Sequence, residues 1–188
     1  MRKLIVFNHV SLDGYFTDAS GDMSFAQNDN QDAEWDTFVA SNASGGGMLL
    51  FGRITYELMA SFWPTPLAAE NMPVVAERMN NLPKVVFSRT LEDVSWNNTK
   101  LVKGDLTGEI RKMKKEEGED MVIFGSGSIV SQLAQGGLID ECQIVVDPVA
   151  LGKGRTMFDG MKEKLPLKLT NTRTFGNGIV LLCYKPME

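Results

Sequence analysis

The sequence predicts an α/β fold: a mainly parallel, twisted sheet flanked by helices and finished by an antiparallel hairpin. Two observations carry this. Short, continuous apolar runs alternate with segments of helical period, the pattern of strands covered on both faces by crossover helices. Near the C-terminus, Asn177-Gly178 separates two strand-like runs, the strongest short-range signal for a hairpin.

The strand-like runs are residues 4–10, 48–51, 85–87, 121–124 and 144–146, each bounded by Gly, Ser, Asp or Pro. Trp35, Phe38, Val39 and Ala43 fall on one face of a helix. Tyr56, Met59 and Trp63 do the same. So do Val75, Met79 and Leu82, after Pro73, a favourable first-turn residue. Ile129, Val130, Leu133 and Ala134 form a fourth stripe, and Gly136-Gly137 stops it. Residues 109–119 are so charged that they read as an exposed helix. Residues 167–175 and 179–184 form the arms of the hairpin. The βαβ connections should be right-handed. No repeat, low-complexity tract or long linker interrupts the pattern, so residues 1–188 are expected to form one domain.

Composition narrows the function. The 188 residues are 43% hydrophobic and 23% charged, ordinary for a globular chain. Nineteen basic and 24 acidic residues give a net charge of −5. Such a surface repels phosphate backbones and argues against a nucleic-acid partner, while leaving room for a local basic pocket. The apolar run at residues 4–7 is too short for a signal peptide, and no run approaches a membrane span. A cytoplasmic protein is expected. Cys142 and Cys183 lie in strand-like segments without a CxxC pattern, which reads as two reduced core thiols. His9 is the only histidine, which excludes a multi-His metal site; no metal is expected.

Three strand-to-helix junctions carry phosphate-friendly chemistry. In Phe124-Gly-Ser-Gly-Ser-Ile-Val130, glycines admit a ligand to the backbone, and the free N–H groups of the helix start favour an anion. Without a ligand the segment is simply a tight turn. It is not the Rossmann fingerprint: Val130 occupies the third glycine position, and Pro148 follows the Asp147 that would contact a ribose. In Leu50-Phe-Gly-Arg-Ile-Thr-Tyr-Glu57, Arg53 opposes the helix dipole and makes better sense beside a bound phosphate, although taken alone it reads equally as a solvated loop arginine. Thr55 either caps the helix or donates to the same phosphate. Phe87-Ser-Arg-Thr90 ends a third strand with hydroxyl and guanidinium groups. The three junctions converge if their strands are parallel neighbours, because ligands of open α/β sheets bind at carboxyl ends of strands. Ser11-Leu-Asp-Gly14 ends the first strand. It is a turn, or it sets Asp13 at the mouth of the cleft.

In this order, these motifs resemble the dihydrofolate reductase superfamily, and within it the reductase domain of bacterial riboflavin biosynthesis. Ser11-Leu12-Asp13-Gly14, Gly52-Arg53-Ile54-Thr55-Tyr56-Glu57, residues 84–89, Phe124-Gly-Ser-Gly-Ser128, Leu138-Ile-Asp-Glu141 and residues 148–154 carry the resemblance, which spans nearly the whole chain. It implies a three-layer α-β-α dihydrofolate-reductase-like fold and an NADPH cofactor. Gly52, Arg53 and Thr55 would hold phosphates. Ser88 would sit near the adenosine 2′-phosphate, with Arg89 beside it. Gly125 and Ser126 would contact the pyrophosphate, with Gly127, Ser128 and Ile129 close by. Asn8 or His9, with Phe16, would lie near the nicotinamide. The acid that assists substrate protonation in dihydrofolate reductases has no clear counterpart; Asp36 and Glu34 are candidates on the first helix, besides Asp13. The hallmark second glycine of the pyrophosphate turn is replaced by Ser126. No deaminase signature accompanies the domain.

The resulting expectation is an NADPH-dependent reductase acting on a small pteridine- or pyrimidine-like molecule, or on another carbonyl or imine compound. Its substrate cleft would lie between the first strand, the first helix and the Tyr56–Trp63 region, with Phe62, Trp63 and Pro64 either as walls or as core packing. The resemblance also implies a homodimer. The same residues are compatible with an NADP(H)-binding protein without turnover, or with a structural dimer on the same fold.

Overall fold

The computed structural model describes residues 1–26, 32–44 and 47–187. An eight-stranded sheet has the order β5-β4-β3-β6-β1-β7-β10-β9. The strands are β1 (Leu4–Ser11), β3 (Met48–Gly52), β4 (Lys84–Phe87), β5 (Thr99–Val102), β6 (Met121–Phe124), β7 (Glu141–Asp147), β9 (Leu167–Thr174) and β10 (Val180–Pro186). Strands β5 to β7 in that order run parallel, while β10 pairs antiparallel with both β7 and β9. The expected mixed sheet and terminal hairpin are therefore present. A separate two-stranded ladder pairs β2 (Thr17–Asp18) with β8 (Gly154–Arg155); the sequence reading missed it. Its crossing is so close that a Cβ on Gly154 would lie 2.1 Å from the Thr17 carbonyl oxygen.

Strand alternation sends side chains to two distinct cores. Leu4, Val6 and Val10 join Met121, Ile123 and Leu50 on one face, under α5 (Leu106–Lys115) and α6 (Gly127–Gln135). Phe7, Val145 and Leu181 lie on the other face with Trp35 and Phe38 of α1 (Ala33–Ser44). Phe51 and Val86 continue that face beneath Tyr56 and Met79, carried by α2 (Arg53–Phe62) and α4 (Pro73–Asn81). Short α3 (Pro66–Asn71) links them. The α4 stripe begins at Pro73, as its sequence indicates, and its C-terminus is closed by Lys84. That ammonium is 1% exposed and donates to the carbonyls of Met79, Asn80 and Leu82 at 2.8, 3.1 and 2.7 Å. It also lies 4.5 Å from the centre of the Trp96 ring. Burial pulls its pKa down to about 8, against the carbonyl dipoles that favour its charge.

One element departs from its reading. The charged segment is not an exposed helix over residues 109–119. Helix α5 starts earlier, where Asp105 accepts the N–H groups of Thr107 and Gly108 at 3.1 and 3.0 Å, and it ends at Lys115. Ile110 and Met113 are buried, an i, i+3 stripe that the surrounding lysines and glutamates obscure. The two cysteines sit on adjacent strands, yet their register is offset by one: Cys183 faces Gln143, and Cys142 faces Tyr184. They point to opposite cores and are free thiols. Burial raises both, Cys142 to about 11.

Candidate active site

The carboxyl ends of β4, β3 and β6 are neighbours in the sheet, so the three junctions singled out in the sequence meet. They open into one cleft of about 820 Å³. Phe16, Gly52, Arg53, Thr55, Ser88, Arg89, Ser126, Gly127, Ser128 and Ile129 all line it. Two helices start there, α2 after Gly52 and α6 after Ser126, and neither has a side-chain cap. Their first N–H groups lack intrahelical acceptors and carry the positive ends of the helix dipoles. By contrast, the third helix start on the cleft, that of α5, is closed by Asp105.

The β6–α6 turn is built from left-handed backbone. Gly125 has φ 56° and Ser126 has φ 60°. A side chain at Gly125 would strike Thr55 Oγ1 at 2.7 Å, and one at Gly127 would strike the Phe16 ring at 2.8 Å. Ser126 holds its own strained conformation with its hydroxyl. That oxygen accepts the Gly52 N–H at 2.9 Å and lies 2.9 Å from the Phe124 carbonyl and 3.1 Å from Thr55 Oγ1. Thr55 Oγ1 in turn accepts the Ser126 N–H at 3.1 Å. Thr55 is thus neither a helix cap nor free: it ties α2 to the turn. Replacement of the expected glycine by Ser126 yields a bolt between the ends of β3 and β6.

The cleft is locally basic. Arg53 reaches Glu57 at 3.1 Å while its side chain stays 45% exposed. Arg89 is exposed, and Arg155 on β8 is a third guanidinium on the lining. Sequence reasoning missed Arg155, although it follows directly on the matched segment 148–154. Asp105 and Asp159 also line the cleft. Ser88 Oγ accepts the N–H groups of Thr90 and Leu91 at 3.2 and 3.0 Å, shaping the loop that carries Arg89. Phe87, Val102, Leu106 and Ile129 supply apolar wall.

Other candidates have different surroundings. Asn8 is buried behind the turn: its amide donates to the Gly125 carbonyl at 3.0 Å and contacts Met157 Sδ at 2.8 Å, and its Oδ1 accepts the Gly125 N–H. Neither Asn8 nor Gly125 lines the cleft. His9 points to the opposite face, where its Nδ1 lies 2.8 Å from Asp147 Oδ2 and its ring meets Phe7 and Trp35 edge-on. Asp13 is a loop clasp and not part of the cleft lining. It accepts the Ser11 hydroxyl at 2.6 Å and the N–H groups of Leu151 and Gly152 at 3.1 and 2.6 Å, which lower its pKa to about 2. Asp36 is an exposed residue in the first turn of α1, and its neighbour Glu34 pairs with Arg173 at 2.6 Å. Phe62, Trp63 and Pro64 lie off the cleft; Trp63 packs with Tyr56 and Trp96.

A sheet of this order with an anion-friendly cleft at its carboxyl ends defines a protein of the dihydrofolate-reductase-like fold. Residues 2–181 match the model of the RibD C-terminal domain, and the chain belongs to that family. A curated relative is the uncharacterised protein YyaP of Bacillus subtilis (strain 168), 28% identical over 97% of this chain and 94% of its own. A protein from Shewanella sp. PV-4, provisionally assigned to riboflavin biosynthesis, superposes with a TM-score of 0.74 at 23% identity, covering 99% of each chain. Dihydrofolate reductase from Enterococcus faecalis, solved with NADP(H), superposes with a TM-score of 0.64 at 13% identity over 99% of this chain and 97% of its own. Among the described residues no helix is long and apolar enough to cross a membrane.

Proposed function

We propose that the protein is an NADPH-dependent reductase of a small pteridine- or pyrimidine-like molecule. One observation carries the reading: two uncapped helix starts and three arginines share a single cleft across neighbouring parallel strand ends. A volume of about 820 Å³ suits a cofactor-sized ligand. The N–H groups at the start of α6 and α2 are suited to the pyrophosphate, with Arg53 beside them. Ser88 and Arg89 would receive the 2′-phosphate, and Phe87, Val102 and Leu106 the adenine. When bound, NADPH supplies a hydride; the protein supplies orientation and electrostatics. The family and the NADP(H)-bound dihydrofolate reductase support the same cofactor.

The test is titration with NADPH and with NADH, followed by the nucleotide's fluorescence. Arg89→Ala should weaken NADPH binding about ten- to hundredfold, the equivalent of about 1.5–3 kcal/mol for one charge-assisted contact, while NADH binding barely changes. The difference should shrink in high salt. Equal losses for both nucleotides would remove Arg89 from the 2′-phosphate site. NADPH oxidation would then be screened with dihydrofolate, pterins and ribosylaminopyrimidines. Tight NADPH binding without turnover of any acceptor would favour a non-catalytic nucleotide-binding protein instead.

A further inference from the structure

We propose that His9, held by the buried carboxylate of Asp147, is the proton donor of the reduction. The inference rests on the reductase reading above. His9 and Asp147 stand on adjacent strands β1 and β7, in a stretch otherwise built of apolar side chains such as Phe7 and Val145. Asp147 is 1% exposed, and its Oδ1 has no hydrogen-bond partner among the described residues. A buried carboxylate left half-satisfied is destabilising, so packing alone does not explain it. Its Oδ2 accepts a hydrogen bond from the Nδ1–H of His9 across 2.8 Å. That bond fixes the tautomer and turns Nε2 toward the remaining space. Among the described residues Nε2 has no partner. The imidazole is 20% exposed, enough to exchange protons with solvent, and Phe7 and Trp35 wall it edge-on at 6.0 and 5.9 Å between ring centres.

The position along β1 links His9 to the cofactor cleft. β1 pairs with β6 only as far as Phe7 and Phe124, whereas it follows β7 to Ser11. Beyond Phe7 its backbone ladder to β6 ends. There the Asn8 side chain ties β1 to Gly125, at the turn that forms the cleft wall. A substrate bound on the α1 side of β1 would meet His9, with the cofactor held against the other face of the same strand ends.

The other titratable groups on that face are engaged or lie elsewhere. On α1, Glu34 is paired with Arg173. Asp32 accepts the N–H groups of Glu34, Trp35 and Asn177, and Asp36 is exposed. On α2, Tyr56 Oη accepts the Ser95 and Trp96 N–H groups. Glu141 stands at the opposite end of β7. In the reduction, the carbon of a C=N or C=O bond would gain the hydride with its two electrons, and the heteroatom would gain the Nε2 proton of the His9 imidazolium, leaving the neutral ring protonated on Nδ1. NADPH would thereby become NADP⁺, and solvent would return a proton to Nε2.

His9 is the sole histidine, so ¹⁵N NMR of imidazole-labelled protein reads it without assignment. The neutral ring should carry its proton on Nδ1, Asp147→Asn should disturb that tautomer, and saturating NADP⁺ should move the signal. With an acceptor from the panel above, His9→Gln should lower kcat about 10²–10⁴-fold, remove the basic limb of its pH profile and leave NADPH affinity within about threefold. Asp147→Asn should give a smaller loss with the same affinity. A neutral ring protonated at Nε2, an unmoved signal at saturating NADP⁺, or a His9→Gln enzyme with an unchanged pH profile would each overturn the assignment. Failure of the wild-type protein to bind NADPH sinks the reductase reading itself, a distinct result.

Discussion

Ser126 separates backbone strain from hydrogen bonding in one residue. At φ 60° and ψ 46° a residue with a Cβ is strained by about 1–2 kcal/mol relative to glycine. The hydroxyl offsets this by accepting the Gly52 N–H at 2.9 Å and donating toward the Phe124 carbonyl at 2.9 Å or Thr55 Oγ1 at 3.1 Å. One hydroxyl proton allows one donated bond at a time, so two net bonds are at stake. Each contributes about 1 kcal/mol, and their loss leaves a Gly52 N–H behind without its partner. Ser126→Ala keeps the strain and loses both bonds, so it should destabilise by about 2–3 kcal/mol. Ser126→Gly loses the same bonds but sheds the strain, so it should lie about 1–2 kcal/mol above the alanine variant. Urea unfolding of the three proteins, with m-values checked for constancy, reads these differences directly. Alanine as stable as glycine would refute the strain argument. Both variants within about 0.5 kcal/mol of wild type would show that the bolt between β3 and β6 contributes nothing.

Three further outcomes are expected. Lys84→Met keeps the buried stem but abandons the carbonyls of Met79, Asn80 and Leu82; it should lower unfolding free energy by about 2–4 kcal/mol, measured in urea. Asp13 sits at about 2 when folded against an ordinary 3.8. Its contribution is therefore present above about pH 4 and is lost as pH falls through about 2; the amide resonances of Leu151 and Gly152 should titrate together in that window, and titration nearer 4 would contradict the clasp. Cys142 and Cys183 should react with a thiol reagent slowly in the native protein and completely on unfolding, giving two thiols, whereas a count of zero would require a bridge that their opposite-facing register forbids.

The fold was legible wherever burial dictates sequence. Central strands covered on both faces leave unbroken apolar runs, so β1, β3, β4 and β6 could be read directly, and Asn177-Gly178 announced the hairpin. Elements with little burial escaped. β5, Thr-Lys-Leu-Val at a sheet edge, has too few apolar residues to signal a strand. α3 is only six residues long. α5 hid a buried stripe under charge, because Ile110 and Met113 alone carry it. The cleft was legible for a different reason: glycine, hydroxyl and arginine at strand ends have few structural uses in common. Individual roles were not. That Asn8 braces the turn from behind, while His9 on the next residue faces the other way, follows from the strand's alternation only once neighbouring strands are placed. The Asp147 partner lies 138 residues away in sequence, and local pattern cannot reach it.

The same separation of local from global explains how a chain of net charge −5 can offer an anion site. Charges more than about 8–10 Å apart in physiological salt scarcely feel one another, so the acids scattered over the surface are weak opponents of a phosphate in the cleft. What counts there are Arg53, Arg89 and Arg155 against Asp105 and Asp159, together with two helix starts whose dipoles are not cancelled by a capping carboxylate. Asp105 is partly neutralised by the two amides it caps, so the balance in the cleft is positive. On the far side of β1 the arrangement is inverted: a buried acid, one imidazole and aromatic walls, with no free cation among the contacts described. On the proposed reading, NADPH, with its pyrophosphate and 2′-phosphate, would be drawn to one face of the strand ends, and a nearly neutral heterocycle would sit at the other. β1, which braces the cleft turn through Asn8 and carries His9 on its other face, is the strand on which the two would meet.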